Sequence, residues 1–124
     1  MANRHGIPAH IESEIRARDV RCVYCGKVMM PTTNAARADW ATIEHLDHLP
    51  PFKYRPGQTA ADFAIACLSC NCSRRDKPLS AFVKGRGIAD TVAPVIKAYL
   101  LREEINFENL KFVFAKTMPE IPHY

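Results

Sequence analysis

Two CxxC pairs, Cys22-Val-Tyr-Cys25 and Cys67-Leu-Ser-Cys70, constrain this chain more than any other feature of its sequence. Each pair can present two sulfurs to one ion, and together they complete a tetrahedral thiolate shell at Zn–S distances of about 2.3 Å. A shell of four protein ligands leaves no open position for water. The metal's expected role is therefore structural: it ties together segments about forty residues apart and contributes to folding. That matters in a chain of 124 residues, since small domains bury a smaller share of their surface and often need a staple. A redox reading of CxxC would account for one pair only. Cys72 is left over, and four-coordinate zinc has no place for it, so it is read as a free thiol.

Paired CxxC motifs read as metal ligands rather than disulfides in a reducing compartment. The N-terminal stretch MANRHGIPAHIESE lacks the apolar core of a secretory signal, and no apolar run of bilayer length follows. The expectation is a cytoplasmic protein with no membrane partner. At 48% hydrophobic and 24% charged residues the composition is that of an ordinary globular domain, so residues 1–124 are expected to form one α+β unit.

Local patterns subdivide that unit into an N-terminal helix over 9–18, a core over 20–84 and a helical extension over 88–124. Ile11 and Ile15 recur four apart among charged residues, which suits the first helix. Val20 to Val28 reads as a knuckle with Gly26 at its turn. Trp40 to Leu46 and Phe63 to Ala66 read as strands, separated by a long irregular loop over Pro50 to Thr59. Asn71 to Val83 suits a helix in two parts divided near Pro78, and Asp90 is placed to cap a helix over Thr91 to Arg102. Leu110, Phe112 and Phe114 alternate with other residues, a weak strand signal. Trp40, Phe52 and the Met29-Met30 pair are expected to pack in the core, whereas His5, His10 and His123 lie near the termini and are expected to be exposed.

The net charge of +4, with Arg74, Arg75, Lys77, Lys84 and Arg86 close together, suits a polyanionic partner but equally a solvated surface. More specific is what stands between and after the cysteine pairs: Thr42-Ile-Glu-His45-Leu-Asp-His48-Leu-Pro-Pro51, then DFAIACLSCNCSRRDK. The arrangement resembles the HNH endonucleases of phages and bacteria over about the middle half of the chain. That resemblance implies a ββα-metal finger in which Glu44 and Asn71 hold a catalytic divalent ion and His45 is the general base. It implies DNA as substrate, with Arg74, Arg75 and Lys77 holding the phosphate backbone. Oxygen ligands with open positions suit Mg²⁺ or Mn²⁺. Histidine can take a proton from water near neutral pH, and the ion would relieve charge on the phosphate.

Two residues depart from the family pattern: Glu44 replaces the commoner aspartate, and Asp62 stands where many members carry an asparagine. The Asp62 carboxylate, able only to accept, is expected to hold the His45 ring. A second register is open, because Asp47-His48-Leu-Pro-Pro51 matches the acid-histidine-proline string as well; the β-prone lead-in of Thr42-Ile43 favours Glu44 and His45. Competing functions are a noncatalytic zinc-dependent DNA-binding module and a zinc-knuckle protein-interaction domain. A second copy of the chain, or a phage or mobile-element protein, is a further possible partner.

Overall fold

The computed structural model describes residues 5–31 and 38–117, with side chains up to residue 106. It is a small mixed α+β arrangement of four helices around a two-stranded antiparallel sheet. Helix α1 spans Ala9–Arg18, strands β1 and β2 span Ala41–His45 and Phe63–Cys67, and helices α2, α3 and α4 span Leu68–Arg74, Leu79–Arg86 and Pro94–Thr117.

Strand alternation divides the interior in two. With Ile43 opposite Ile65 and His45 opposite Phe63, β1 turns Ile43 and His45 to one face and Thr42, Glu44 and Leu46 to the other. On the first face Ile43, Phe63 and Ile65 pack with Ile7 and with Ile15 of α1. On the second, Leu46, Ala64 and Ala66 meet Tyr24, Phe82 of α3, and Ile96 and Tyr99 of α4. A two-stranded sheet is at best marginally stable alone, so burial on both faces is what holds it.

The outer edge of β2 is occupied by side chain and loop rather than by a third strand. Asp19 Oδ2 accepts the Ile65 N–H at 3.0 Å, and Val23 N–H donates to the Ile65 carbonyl at 3.3 Å. The Asp19 carboxylate is only 6% exposed, and its charge is met by the Arg18 fork at 2.7 and 2.8 Å. The same guanidinium donates to the carbonyls of Ala60 and Phe63. The end of α1 is thereby pinned to the start of β2, and the edge is closed to further pairing.

Element boundaries follow local chemistry at most points. Gly26 takes φ +76° at the knuckle turn, where its N–H donates to the Cys22 carbonyl at 2.9 Å. Pro78 sits at the head of α3 and divides it from α2, as the sequence suggests, and Gly87 closes α3 in the left-handed conformation. Two expectations are corrected at the C-terminus. Helix α4 begins at Pro94 rather than Thr91, with proline in the first-turn position that needs no N–H donor. Residues 110–114 continue that helix instead of forming a strand, because extending an existing helix carries no nucleation cost and strand pairing needs a neighbour. Pro31 is irregular, and residues 32–37 lie outside the described residues.

Candidate metal centre and the adjoining cleft

The knuckle and the β2–α2 junction bring the sulfurs of Cys22, Cys25, Cys67 and Cys70 within 4.8 Å of one another. Cys67 ends β2 and caps α2, its sulfur accepting the Cys70 N–H at 3.4 Å and lying 3.8 Å from Cys25 Sγ. Such a cluster could hold a zinc ion. Burial pushes the Cys22 and Cys70 thiols up, and at Cys70 the neighbouring Cys22 adds to the rise. At Cys25 burial also raises the value, but hydrogen bonds from the Lys27 N–H and the other cysteines outweigh it and the net direction is down. Gathering four thiolates is opposed by desolvation and mutual repulsion, and a bound divalent cation reverses both effects. Arg86 Nη1 stands 3.1 Å from Cys70 Sγ, an N–H donor toward one sulfur. Cys72 is exposed and lies outside the group.

Beside this centre, where β1 gives way to the loop, a cleft of about 410 Å³ is lined by His5, Glu44, His45, His48, Phe52, Lys53 and Asn71 among others. The fold thus places Glu44, His45 and Asn71 around one cavity, along with His48 of the alternative register. Asn71, midway along α2, donates through Nδ2 to Thr42 Oγ1 at 3.0 Å and to the Ile43 carbonyl at 3.2 Å. Helix and strand are thereby locked together, and the amide oxygen remains the acceptor end of the side chain.

Glu44 is 2% exposed. Its Oε1 pairs with Arg74 Nη1 at 3.2 Å, while Oε2 is buried with no hydrogen-bond partner. The Tyr24 hydroxyl, buried like Oε2 and short of full hydrogen-bond geometry, faces this carboxylate: burial first, then the Glu44 charge and a hydrogen-bonding interaction with it, raise the Tyr24 pKa, and the same interaction lowers that of Glu44. Burial raises the Glu44 pKa, and Arg74 opposes that rise. A carboxylate is a fitting donor for a hard divalent cation, although here the Arg74 guanidinium holds one oxygen and the Tyr24 hydroxyl faces the group.

Arg74 corrects an expectation. The family resemblance sets it among the DNA-facing cations, yet it is 1% exposed and its guanidinium donates to Glu44, to the carbonyls of His45 and Leu46, and to that of Lys77. The helical turn that sends Arg74 inward leaves Arg75 and Lys77 exposed. Lys53, from the irregular loop, is a cation of the cleft that the sequence did not single out.

Asp62 corrects another. Its carboxylate takes the Thr59 N–H at 2.8 Å in a capping box and Arg102 Nη2 at 2.7 Å, which leaves its carbonyl, accepting Leu46 N–H, as its tie to β1. The ring of His45 is met instead by His5, whose Nδ1 lies 3.0 Å from His45 Nε2. His5 is half-buried, contrary to the exposure expected near a terminus. No short-range pattern marks it, because its neighbour is forty positions away.

The alternative pair is differently placed. Asp47 accepts from Leu49 N–H and from Arg55 and Gln58, organising the loop after β1. His48 lies beyond the strand at φ +53°, and Phe52 follows at φ +60°. Left-handed conformations in residues other than glycine are strained, at about 1–3 kcal/mol each, and such residues cluster at functional sites. Phe52, expected in the core, packs its ring edge-on near both histidines.

His45 is 5% exposed, and its pKa is pushed down to about 4 by burial first and by His5 second. The unfolded chain, titrating near 6.5, then binds the proton more readily than the folded one between those values. This residue's contribution to stability is accordingly full above pH 6.5 and is lost as the pH falls toward 4. The difference is about 3 kcal/mol. Denaturant midpoints of the wild type and His45→Gln are expected to converge over that window on acidification; parallel curves would refute the assignment.

Comparison with family models, with curated proteins and with solved structures returned no match. Among the described residues, no helix is long and apolar enough to cross a membrane.

Proposed function

We propose that the chain is a zinc-stapled, metal-dependent DNA endonuclease of the HNH type, built on a ββα-metal finger formed by β1, β2 and α2. The carrying observation is that one cleft is lined by His45, a buried histidine whose pKa is pushed down to about 4, together with Glu44 and Asn71. Zn²⁺ on the four cysteines holds the knuckle against the β2–α2 junction and takes no part in hydrolysis. Glu44 Oε2 and the Asn71 amide oxygen would hold the catalytic cation, Mg²⁺ or Mn²⁺. When bound, that ion supplies charge relief at a phosphate oxygen and at the leaving oxygen. The histidine base accepts the proton of the attacking water, a role that needs it unprotonated at working pH. Arg74 holds the Glu44 carboxylate, and Lys53, Arg75 and Lys77 offer cations to the phosphate backbone.

Supercoiled plasmid incubated with the zinc-loaded protein and Mg²⁺ or Mn²⁺ is expected to yield nicked or linear DNA. Brief EDTA treatment should stop the cutting and excess Mg²⁺ should restore it. One observation favours a second reading, a DNA-binding module without turnover: Glu44 and His45 already have protein partners in Arg74 and His5. A salt-sensitive gel shift with intact plasmid under every metal condition would support that reading and overturn the first.

A further inference from the structure

Arg86, counted in the sequence among the cations that follow the second cysteine pair, turns its head group to the metal centre. Its Nη1 donates toward Cys70 Sγ at 3.1 Å, and its guanidinium carbon lies 5.1 Å from the centre of the Phe82 ring. Phe82 is buried and stands edge-on to Tyr24 of the knuckle, with ring centroids 5.0 Å apart. Residues four apart share one face of a helix, so α3 carries Phe82 into the core and sets Arg86 one turn further on, at the rim of the four sulfurs. Gly87 ends the helix directly after it, its N–H returned to the Lys84 carbonyl at 3.1 Å. Arg86 is exposed, yet ring and sulfur hold its head group on two sides.

The other sulfurs are met differently. Backbone N–H groups face Cys22 and Cys25, and the Cys70 N–H donates to Cys67 Sγ at 3.4 Å. Such donors come with the knuckle turn and the helix start, whatever the side chains. At Cys70 the donor from outside the cluster is the Arg86 side chain. Four thiolates around one divalent cation leave an excess of negative charge in a half-buried place. A depression of about 260 Å³ opens beside the centre, and the charged side chains described in its lining are both cations, Lys27 and Arg86. Charge removed from water is costly unless it is hydrogen-bonded, and groups that donate to metal ligands typically alter metal affinity by about 10–100-fold.

We propose that Arg86 is a positioning residue of the zinc centre, its Nη1–H bonded to the zinc-bound sulfur of Cys70, and that it sets how firmly the folded chain retains the metal. Its charge offsets part of the thiolate excess, and its donor occupies one sulfur lone pair and aims another at the metal. Arg86 thereby belongs to the staple rather than to the phosphate-facing surface that the charge pattern suggests. The inference rests on the zinc reading of the four cysteines and is independent of whether the cleft cuts DNA.

Arg86→Met keeps an apolar stem over Phe82 but has no donor. It is expected to bind zinc at least about 10-fold more weakly than wild type in competition with a chromogenic chelator. Arg86→Lys, which keeps a charged donor, should recover part of that loss. Lys84→Ala removes a cation of the same helical turn that lines a separate depression with Glu103 and Glu104, and should bind zinc as wild type does. Cobalt(II) in place of zinc gives a readout that packing alone does not move. A donor lowers the energy of a sulfur lone pair, so its loss in Arg86→Met should shift the sulfur-to-cobalt charge-transfer band to longer wavelength. The ligand-field bands of a tetrahedral four-sulfur site should stay in place, which checks that the variant is folded around its metal. Affinity within about threefold of wild type, an unshifted charge-transfer band, or no recovery in Arg86→Lys overturns the proposal while leaving the zinc site intact. A wild-type chain that binds neither zinc nor cobalt overturns the zinc reading and the role of Arg86 with it.

Discussion

Replacing Cys67 by serine is expected to abolish zinc binding and with it the cooperative unfolding transition of the domain. Cys67 is fully buried, ends β2, caps α2 and stands 3.8 Å from Cys25 across the centre. Loss of its sulfur releases the knuckle from the sheet and uncovers Tyr24 and Val23, which pack or pair against the strands. Structural zinc contributes on the order of 10 kcal/mol to small metal-stapled folds. A domain of this size has only about 5–15 kcal/mol of total stability, so the loss is comparable to the whole. Metal analysis should give one zinc per wild-type chain, and circular dichroism should show a sharp melt that a chelator removes. Cys72→Ser, outside the cluster, is the control and should behave as wild type. A Cys67→Ser protein that melts sharply at the wild-type temperature without bound metal would refute a structural zinc site.

His45→Ala is expected to lower plasmid cleavage by at least about 100-fold, the effect typical of losing a general base. His48→Ala should lower it far less. The physical distinction is position: His45 belongs to β1, in register with Phe63 and held by His5, whereas His48 lies on the loop organised by Asp47. A catalytic group on a strand is held more closely than one on a loop. The comparison depends on both variants retaining bound zinc and a cooperative melt. If only His48→Ala loses cleavage, the working pair is Asp47 and His48, and Glu44 with Arg74 becomes a structural ion pair of the interior.

Much of the architecture was readable in short stretches. The isoleucine spacing of α1, the β-prone residues before and after the long loop, and Pro78 between α2 and α3 each act within a few residues, where propensity and periodicity operate. The tail over 110–114 misled for the same reason. Alternation alone does not distinguish a strand from a helix extension when the outcome depends on having a pairing partner.

Site residues divide along the same line. The four cysteines were legible because ligand spacing is a local property, and the fold had only to bring the two pairs together. Arg74 departs from the role that the resemblance implies because a motif gives a charge without its direction; one turn of helix carries it into the interior to meet Glu44. The acceptor-only carboxylate of Asp62 suggests a hold on the His45 ring, yet the Thr59 N–H three residues before it and the distant Arg102 claim that carboxylate.

The amino-acid order by itself determined the thiolate set, the main helices and strands, and the candidates Glu44, His45 and Asn71, since each depends on covalent spacing and local backbone preference. Tertiary structure alone decided that Arg74 is interior, that Asp62 caps a turn, and that His5 meets His45 across the cleft. Those outcomes turn on which side chains share a buried volume, where an unpaired charge or polar atom is costly and a distant partner therefore governs a residue's role.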